Sequence, residues 1–489
     1  MARVTRVLAL ALGVPLLSGH VGVSGALFAG RAGAYDLRVR VTPAGVVPGQ
    51  ATIAVHAGGA TRVLASAAPY ELGPRGAPAP DTLARDPADP SLFHGRLWLM
   101  TSGSYGVYLR VEGAGGEGEI AVPVMSTATR ALGMSRGTGI ALALLGVVLV
   151  AGLVSVVRAA TGEATVEPGG DTTTAVRRRG HLGAAAAAAL IAAALLGGRA
   201  WWTSVEAAHR RALFRPLAIA STVVASPSGG VVRVRITDSM WTGPSRRLGS
   251  IVRDHGKPMH LFLVRDGDLG ALAHLHPDMR DSSTFEAPRP ALPAGTYRLY
   301  ADVVHASGFA QTLVSSVTLD GAPGAALGAD DGVFADAVAE RDTVRLADGD
   351  GMLVLDRSAR FVAGRESLLE LRVLDDEGEA TMVESYMGMA GHAIVTRADG
   401  AVFAHLHPMG TVATAALRAL AARARGDTSA LAGADTMAAH AAHEPSAHAG
   451  EIAFPFVFPS AGRYRVWAQV KRGGLVRTAA WDVEVGPAG

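Results

Sequence analysis

Histidine is where this chain concentrates its capacity for chemistry. Eleven of its 16 histidines lie after residue 215, and six of them recur in two copies of one pattern. Residues 257–279 read KPMHLFLVRDGDLGALAHLHPDM, and residues 389–409 read MAGHAIVTRADGAVFAHLHPM. Each copy has one upstream histidine, His260 or His392. A His-x-His-Pro run follows 14 or 13 residues later, His274 and His276 or His405 and His407. Neutral imidazole is a ligand for copper, zinc, nickel and iron, and thioether sulfur selects Cu(I). Met259 and Met279 flank the first set; Met387, Met389 and Met409 flank the second. The predicted chemistry is a three-histidine metal site in each copy, with Met259, Met387, Met389 and Met409 as auxiliary donors. Copper is the expected metal and zinc the alternative.

Three imidazoles meet only if a hairpin aligns them. In the second copy, Asp399-Gly400 predicts a two-residue turn with both residues at positive φ. That register sets His392 opposite His407 and Ile394 opposite His405. Opposed residues, and residues two apart on one strand, share a face. All three histidines then project together, while Leu406 points into a core. The first copy has one more residue in its turn. A three-residue loop with a bulge at Gly267-Asp268-Leu269 restores His260 opposite His276. His305 and Asp302 lie on a later strand and rank second, because their counterparts, Arg472 and Gln469, cannot act in the same way.

Two other readings of the histidines stand beside this one. In a structural or protein-interaction module they would cap a sheet edge, with Pro277 and Pro408 ending strands and methionine filling the core. In a zinc or copper enzyme an open fourth position would activate water. The sequence has no Gly-x-Ser-x-Gly, no phosphate-binding loop and no His-Glu-x-x-His, so no catalytic residue is assigned. The absence of cysteine excludes disulfides, thiolate metal sites and a thiol nucleophile. With 45 basic against 43 acidic residues, no basic field calls for nucleic acid.

The elements that must carry these residues follow from composition and period. Each histidine copy is trailed by a similar segment, residues 292–304 (LPAGTYRLYADVV) and 457–471 (VFPSAGRYRVWAQVK). Two β-sandwiches of one kind are therefore expected, at 216–322 and 345–487, joined by a loose Gly/Ala/Asp linker at 323–344. The second carries an Ala-rich insertion, 411–450, with Met437, His440, His443 and His448. It is expected to begin as a helix and end as a solvated tract. Alternating segments at 35–42, 51–56, 105–111 and 119–124 predict an earlier sandwich over 35–126, with His56 and His94 structural. Residues 137–157 contain no charge, enough to cross ~30 Å of hydrocarbon. Residues 182–202 form a weaker candidate span, or else a buried soluble helix. Loop 158–181, with Arg158 and Arg177 to Arg179, would be cytoplasmic. Residues 1–34 read as a signal peptide or N-terminal anchor, with basic Arg3 and Arg6, an apolar stretch 7–17, and Ala32-Gly33-Ala34 as cleavage site. The expected protein is mainly β: three Ig-like or cupredoxin-like antiparallel β-sandwich domains plus a two-helix transmembrane hairpin. It would sit in the bacterial inner membrane with its soluble domains on the extracytoplasmic side, its partners being a metal ion, the lipid bilayer and an envelope protein.

Taken together, the run from Tyr386 to His392, Phe403-Ala404-His405-Leu406-His407-Pro408, Met259-His260-Leu261-Phe262 and His274-Leu275-His276-Pro277 resemble a family of uncharacterised bacterial envelope proteins. Those proteins have an exported β domain, two membrane helices and tandem His-x-His-Pro β domains. More distantly the modules are similar to periplasmic copper-handling sandwiches. The resemblance implies an envelope protein with a metal role. The missing cysteine departs from electron-transfer cupredoxins.

Overall fold

The computed structural model describes residues 25–488, except 165, 168, 226–228, 243–247, 347–350 and 427–449. Most of the predicted signal segment, and Met437, His440, His443 and His448, lie outside the described residues. The chain divides into two units, one of residues up to Thr127 with Pro216–Gly489, the other Ala128–Arg215.

Three pairs of facing sheets make up the larger unit. The first pair holds a five-stranded sheet, in the order Ala26–Ala32, Tyr35–Thr42, Gly49–Ala57, Leu92–Leu99 and Ala84–Arg85. Its partner sheet runs Asp81–Thr82, Ala60–Pro69, Gly103–Gly113, Gly116–Ser126. Alternation buries Leu37, Val39 and Val41 against Val107, Leu109 and Val111. The strand Ala26–Ala32 corrects the expected domain start at Tyr35. Its full pairing with Tyr35–Thr42, and the complete burial of Phe28, make residues 26–32 part of this sandwich. Gly30 and Gly33 give the segment the local composition of a leader's end. His56 and His94 stand apart from the other histidines, His56 near Asp89 at 3.7 Å and His94 exposed.

The two histidine-bearing repeats share the order of four central strands. In the first, the central sheet orders Ala310–Leu319, Gly295–His305, His260–Arg265, Leu272–Leu275 and Gly332–Phe334. In the second it orders Leu475–Gly486, Gly462–Arg472, His392–Arg397 and Phe403–Leu406. A four-stranded sheet covers one face of each, over cores that include Leu261, Leu263 and Phe285 in one and Val395, Leu406 and Trp481 in the other. The opposite faces pack on each other. Phe262, Val264, Leu272, Tyr300 and Phe334 meet Ile394, Phe403, Trp467 and Ala480, with the Tyr300 and Phe403 rings stacked at 4.0 Å. This two-sided burial is why both histidine hairpins read as unbroken apolar runs rather than alternating ones. The linker is not loose. Gly332–Phe334 pairs with Leu272–Leu275, and Ala339 donates its N–H to the Ala480 carbonyl. The strand closes a sheet edge that would otherwise stand open.

The insertion starts as expected, with the helix Thr414–Ala424. Its Leu417 and Leu420 pack on the first sandwich, and Phe28 bridges Gly410 beside it.

The smaller unit contains two helices, Arg136–Glu163 and Thr174–Ala212, with Ser135 and Thr173 as N-caps. Both are longer than expected, which shortens the connection from 158–181 to 164–173. They approach at Gly162 and Gly180, where a missing Cβ lets the backbones close. Each is long and apolar enough to cross a membrane, and the apolar window of each is at most 6% buried, so the second is not a buried soluble helix.

Candidate metal centre

Both predicted registers are present. Ile394 pairs with His405 and Ala393 with Leu406. In the first repeat Phe262 pairs with His274 and Leu261 with Leu275, the alignment that brings His260 opposite His276. The turns differ in detail from expectation. Only Gly400, at φ 69, is left-handed in the second; Asp399 is not, and its carboxylate accepts the Ala401 N–H instead. In the first, Gly267 and Leu269 take φ 90 and 55, and the Arg265 N–H closes the loop on the Ala271 carbonyl.

The histidines do not form two separate sites. The facing sheets bring all six together, with His255 as a seventh. His260 and His405 rings lie 5.2 Å apart across the repeats, His274 and His405 5.4 Å, and His274 and His392 5.9 Å. His255 reaches His407 at 4.9 Å. Two groups have ligand nitrogens within 4.8 Å of one another: His260, His274 and His405, and His392, His405 and His407. The first therefore draws on both repeats. It departs from the expected set by taking His405 in place of His276, because the interface brings another hairpin closer than its own strand end.

Hydrogen bonds decide which nitrogens are bare. His274 Nδ1 lies 2.8 Å from Gln469 Oε1, and His276 Nδ1 3.0 Å from Asp331 Oδ1. His405 Nδ1 faces Asp302 Oδ2 at 3.4 Å. The acceptors Gln469 and Asp331 hold the proton on Nδ1 of His274 and His276 and leave Nε2 with its lone pair, the arrangement by which outer carboxylates and carbonyls orient metal ligands. Both nitrogens of His392, Nε2 of His405 and Nε2 of His276 are buried with no hydrogen-bond partner. His260 Nδ1 lies 3.3 Å from His274 Nε2. Buried polar groups are ordinarily satisfied, so such a concentration of bare nitrogens is an arrangement that could hold a metal ion.

Burial, and then repulsion among neighbouring imidazoles, pushes His274, His392 and His405 well below the ordinary histidine range. His276 is lowered in the same way, and His407 falls to about 3. These rings are neutral at pH 7, the form that binds metal. Desolvation raises Asp302 to about 7, although Thr312 Oγ1 donates to it at 2.5 Å.

Sequence reasoning missed several residues here. His255 sits five residues before His260 in an Asp-His-Gly turn, and Met387 five before His392 in a Tyr-Met-Gly turn. Both are non-glycine residues at φ 53. That shared spacing was the available signal for His255, whose Nε2 lies 3.0 Å from Thr414 Oγ1. Gln469, inert by comparison of the repeats alone, supports His274. Asp302, ranked second, pairs with the other repeat's His405. Tyr386 places its hydroxyl 3.3 Å from His274 Nδ1 and donates to the Asp330 carbonyl. Lys257 and Lys471, the chain's two lysines, converge on Asp330 at 3.1 and 3.0 Å. His305 lies elsewhere, 2.7 Å from Gln311 and beside Trp241.

The methionines divide. Met259 packs in the first repeat's core, because strand alternation turns it away from the face of His260. Met409 joins the core of the first sandwich, its Sδ accepting from Thr414 Oγ1 at 3.4 Å. Met387 and Met389 are buried in the turn before His392, and Met279 is exposed.

Residues 347–487, the second repeat, match the family model of a domain of unknown function, DUF8832. Among curated proteins none matches this chain. Among solved structures, the chain is similar to dimeric latent PorU from Porphyromonas gingivalis at 10% identity and TM-score 0.15, covering 95% of this chain and 34% of PorU, so it spans about a third of that protein's length. It is similar to the FN1–FN3 domains of chicken CNTN1 at 7% identity and TM-score 0.15, covering 92% and 97% of the two chains. The titin fragment I67–I69 gives 7%, TM-score 0.16, and 91% and 94%.

Proposed function

We propose that this is a membrane-anchored, extracytoplasmic metal-binding protein that sequesters or hands off a transition metal held between its two repeats. The observation that carries the reading is the set of buried ring nitrogens without a hydrogen-bond partner, on His276, His392 and His405, gathered among neighbouring imidazoles. Copper is the favoured ion, because imidazole sites follow the Irving–Williams order and bind Cu(II) more tightly than zinc. The two long apolar helices supply the anchor, and Arg158 and Arg177 to Arg179, in the helix ends that flank the short connection, make that the cytoplasmic side. A protein partner in the envelope would receive or deliver the metal.

The test uses the full chain in detergent, with His440, His443 and His448 changed to Ala so that the insertion does not contribute. Cu(II), Cu(I) and Zn(II) are titrated into this background and into the same background with His405→Ala. Tight binding that is lost or weakened at least tenfold by His405→Ala supports the reading. Equal affinity and stoichiometry in both proteins would overturn it, and the histidines would then be structural residues of an interaction module.

A further inference from the structure

We infer that the histidine chamber holds two metal ions side by side, forming one coupled dinuclear centre. The inference rests on the metal-binding reading above and fixes its stoichiometry and geometry.

The donors exceed what one ion uses. A four-coordinate ion with an open position takes three imidazoles, whereas the chamber gathers six, three from each repeat. In the first repeat the His260, His274 and His276 rings are separated by 5.6, 5.0 and 4.6 Å. In the second, His392, His405 and His407 are separated by 5.2, 5.2 and 4.6 Å. Each repeat thus gathers three rings at similar spacing, although the close ligand-atom group of the first draws His405 in place of His276. A single ion at either trio leaves buried nitrogens bare at the other: Nε2 of His276 in one case, both nitrogens of His392 in the other. Two ions would take a nitrogen from each of these rings.

The trios are contiguous. His274 and His405 face each other at 5.4 Å, and His405 belongs to both close groups of ligand atoms. Ions in the two trios would therefore lie only a few ångströms apart, close enough for a small anion or hydroxide to bridge them. Six neutral imidazoles leave the charge of two divalent ions uncompensated, which makes such an anion the expected ligand of the centre.

The experiment loads the full chain, in the background lacking His440, His443 and His448, with Cu(II) and compares metal content with the electron paramagnetic resonance spin count. Two equivalents of copper with a spin count well below two, altered further by azide, is the expected result. His276→Ala and His407→Ala should each retain one equivalent with a full spin count. One equivalent in the parent protein overturns the dinuclear centre while leaving metal binding intact. Two equivalents with a full spin count of two would show separate, uncoupled sites and also overturn it. No copper bound refutes the metal reading itself. The parent measurement needs no variant, so misfolding of a substituted chain leaves its outcome decisive.

Discussion

Replacing His392 by leucine should make the metal-free protein more stable and the metal-loaded protein less so. His392 is fully buried, and neither ring nitrogen has a hydrogen-bond partner. A neutral imidazole there buries one unsatisfied donor and one unsatisfied acceptor, each costing ~1–3 kcal/mol. Leucine removes both and fills a similar volume, at a packing cost of up to ~1.5 kcal/mol. The net expectation is a gain of about 1–4 kcal/mol at pH 7.5 in chelator, read from denaturant unfolding by circular dichroism. The gap should widen in acid. Burial holds the His392 pKa well below 6.5 in the folded state, so below pH 6.5 the unfolded chain takes up a proton that the folded chain refuses. Stability from this group is present above the unfolded pKa and is lost as pH falls towards the folded pKa. The slope is up to ~1.4 kcal/mol per pH unit, so at pH 5.0 the variant's advantage grows by up to ~2 kcal/mol. With metal at a thousand times its Kd, the wild-type chain gains ~4 kcal/mol and the variant less, reversing the order. A variant that is less stable than wild type in chelator, with an unchanged pH dependence, would refute the claim that His392 is an unsatisfied, functionally retained residue.

Three further outcomes follow from the packing. Asp302→Ala removes the carboxylate that faces His405 Nδ1 at 3.4 Å and should weaken metal binding ~10–100-fold with an unchanged far-ultraviolet spectrum; unaltered affinity would exclude a positioning role. Phe403→Ala removes a fully buried ring stacked on Tyr300 at the interface of the repeats, and should cost ~3–5 kcal/mol in denaturant unfolding while exposing the 320–344 segment to protease. Gly410→Ala forces a Cβ into the Leu27 carbonyl at a backbone φ of 104, so limited proteolysis should release the first sandwich from the second repeat; a wild-type digestion pattern would count against that junction.

Much of this molecule is readable from local pattern because its information is local. The hairpin registers follow from where turn residues stand between apolar runs, and a one-residue error would have put every histidine on the wrong face. Duplication made the two sandwiches visible, and uncharged length made the two helices visible. The edge strand Ala26–Ala32 and the linker strand Gly332–Phe334 were not legible, because such short segments beside Gly- and Ala-rich stretches are fixed as strands only by the sheet edges they complete.

The histidine face of each hairpin was determined by sequence alone, through the period of two along a strand. What lies opposite that face was not. Only the packing of the two repeats, through Phe262, Tyr300, Phe403 and Trp467, turns two separate trios into one chamber shared at His405. The supports Gln469 and Asp302 come from the opposite repeat for the same reason. Residues 195 positions apart, such as His274 and Gln469, meet through the burial of apolar faces, and no local spacing records which face will cover which.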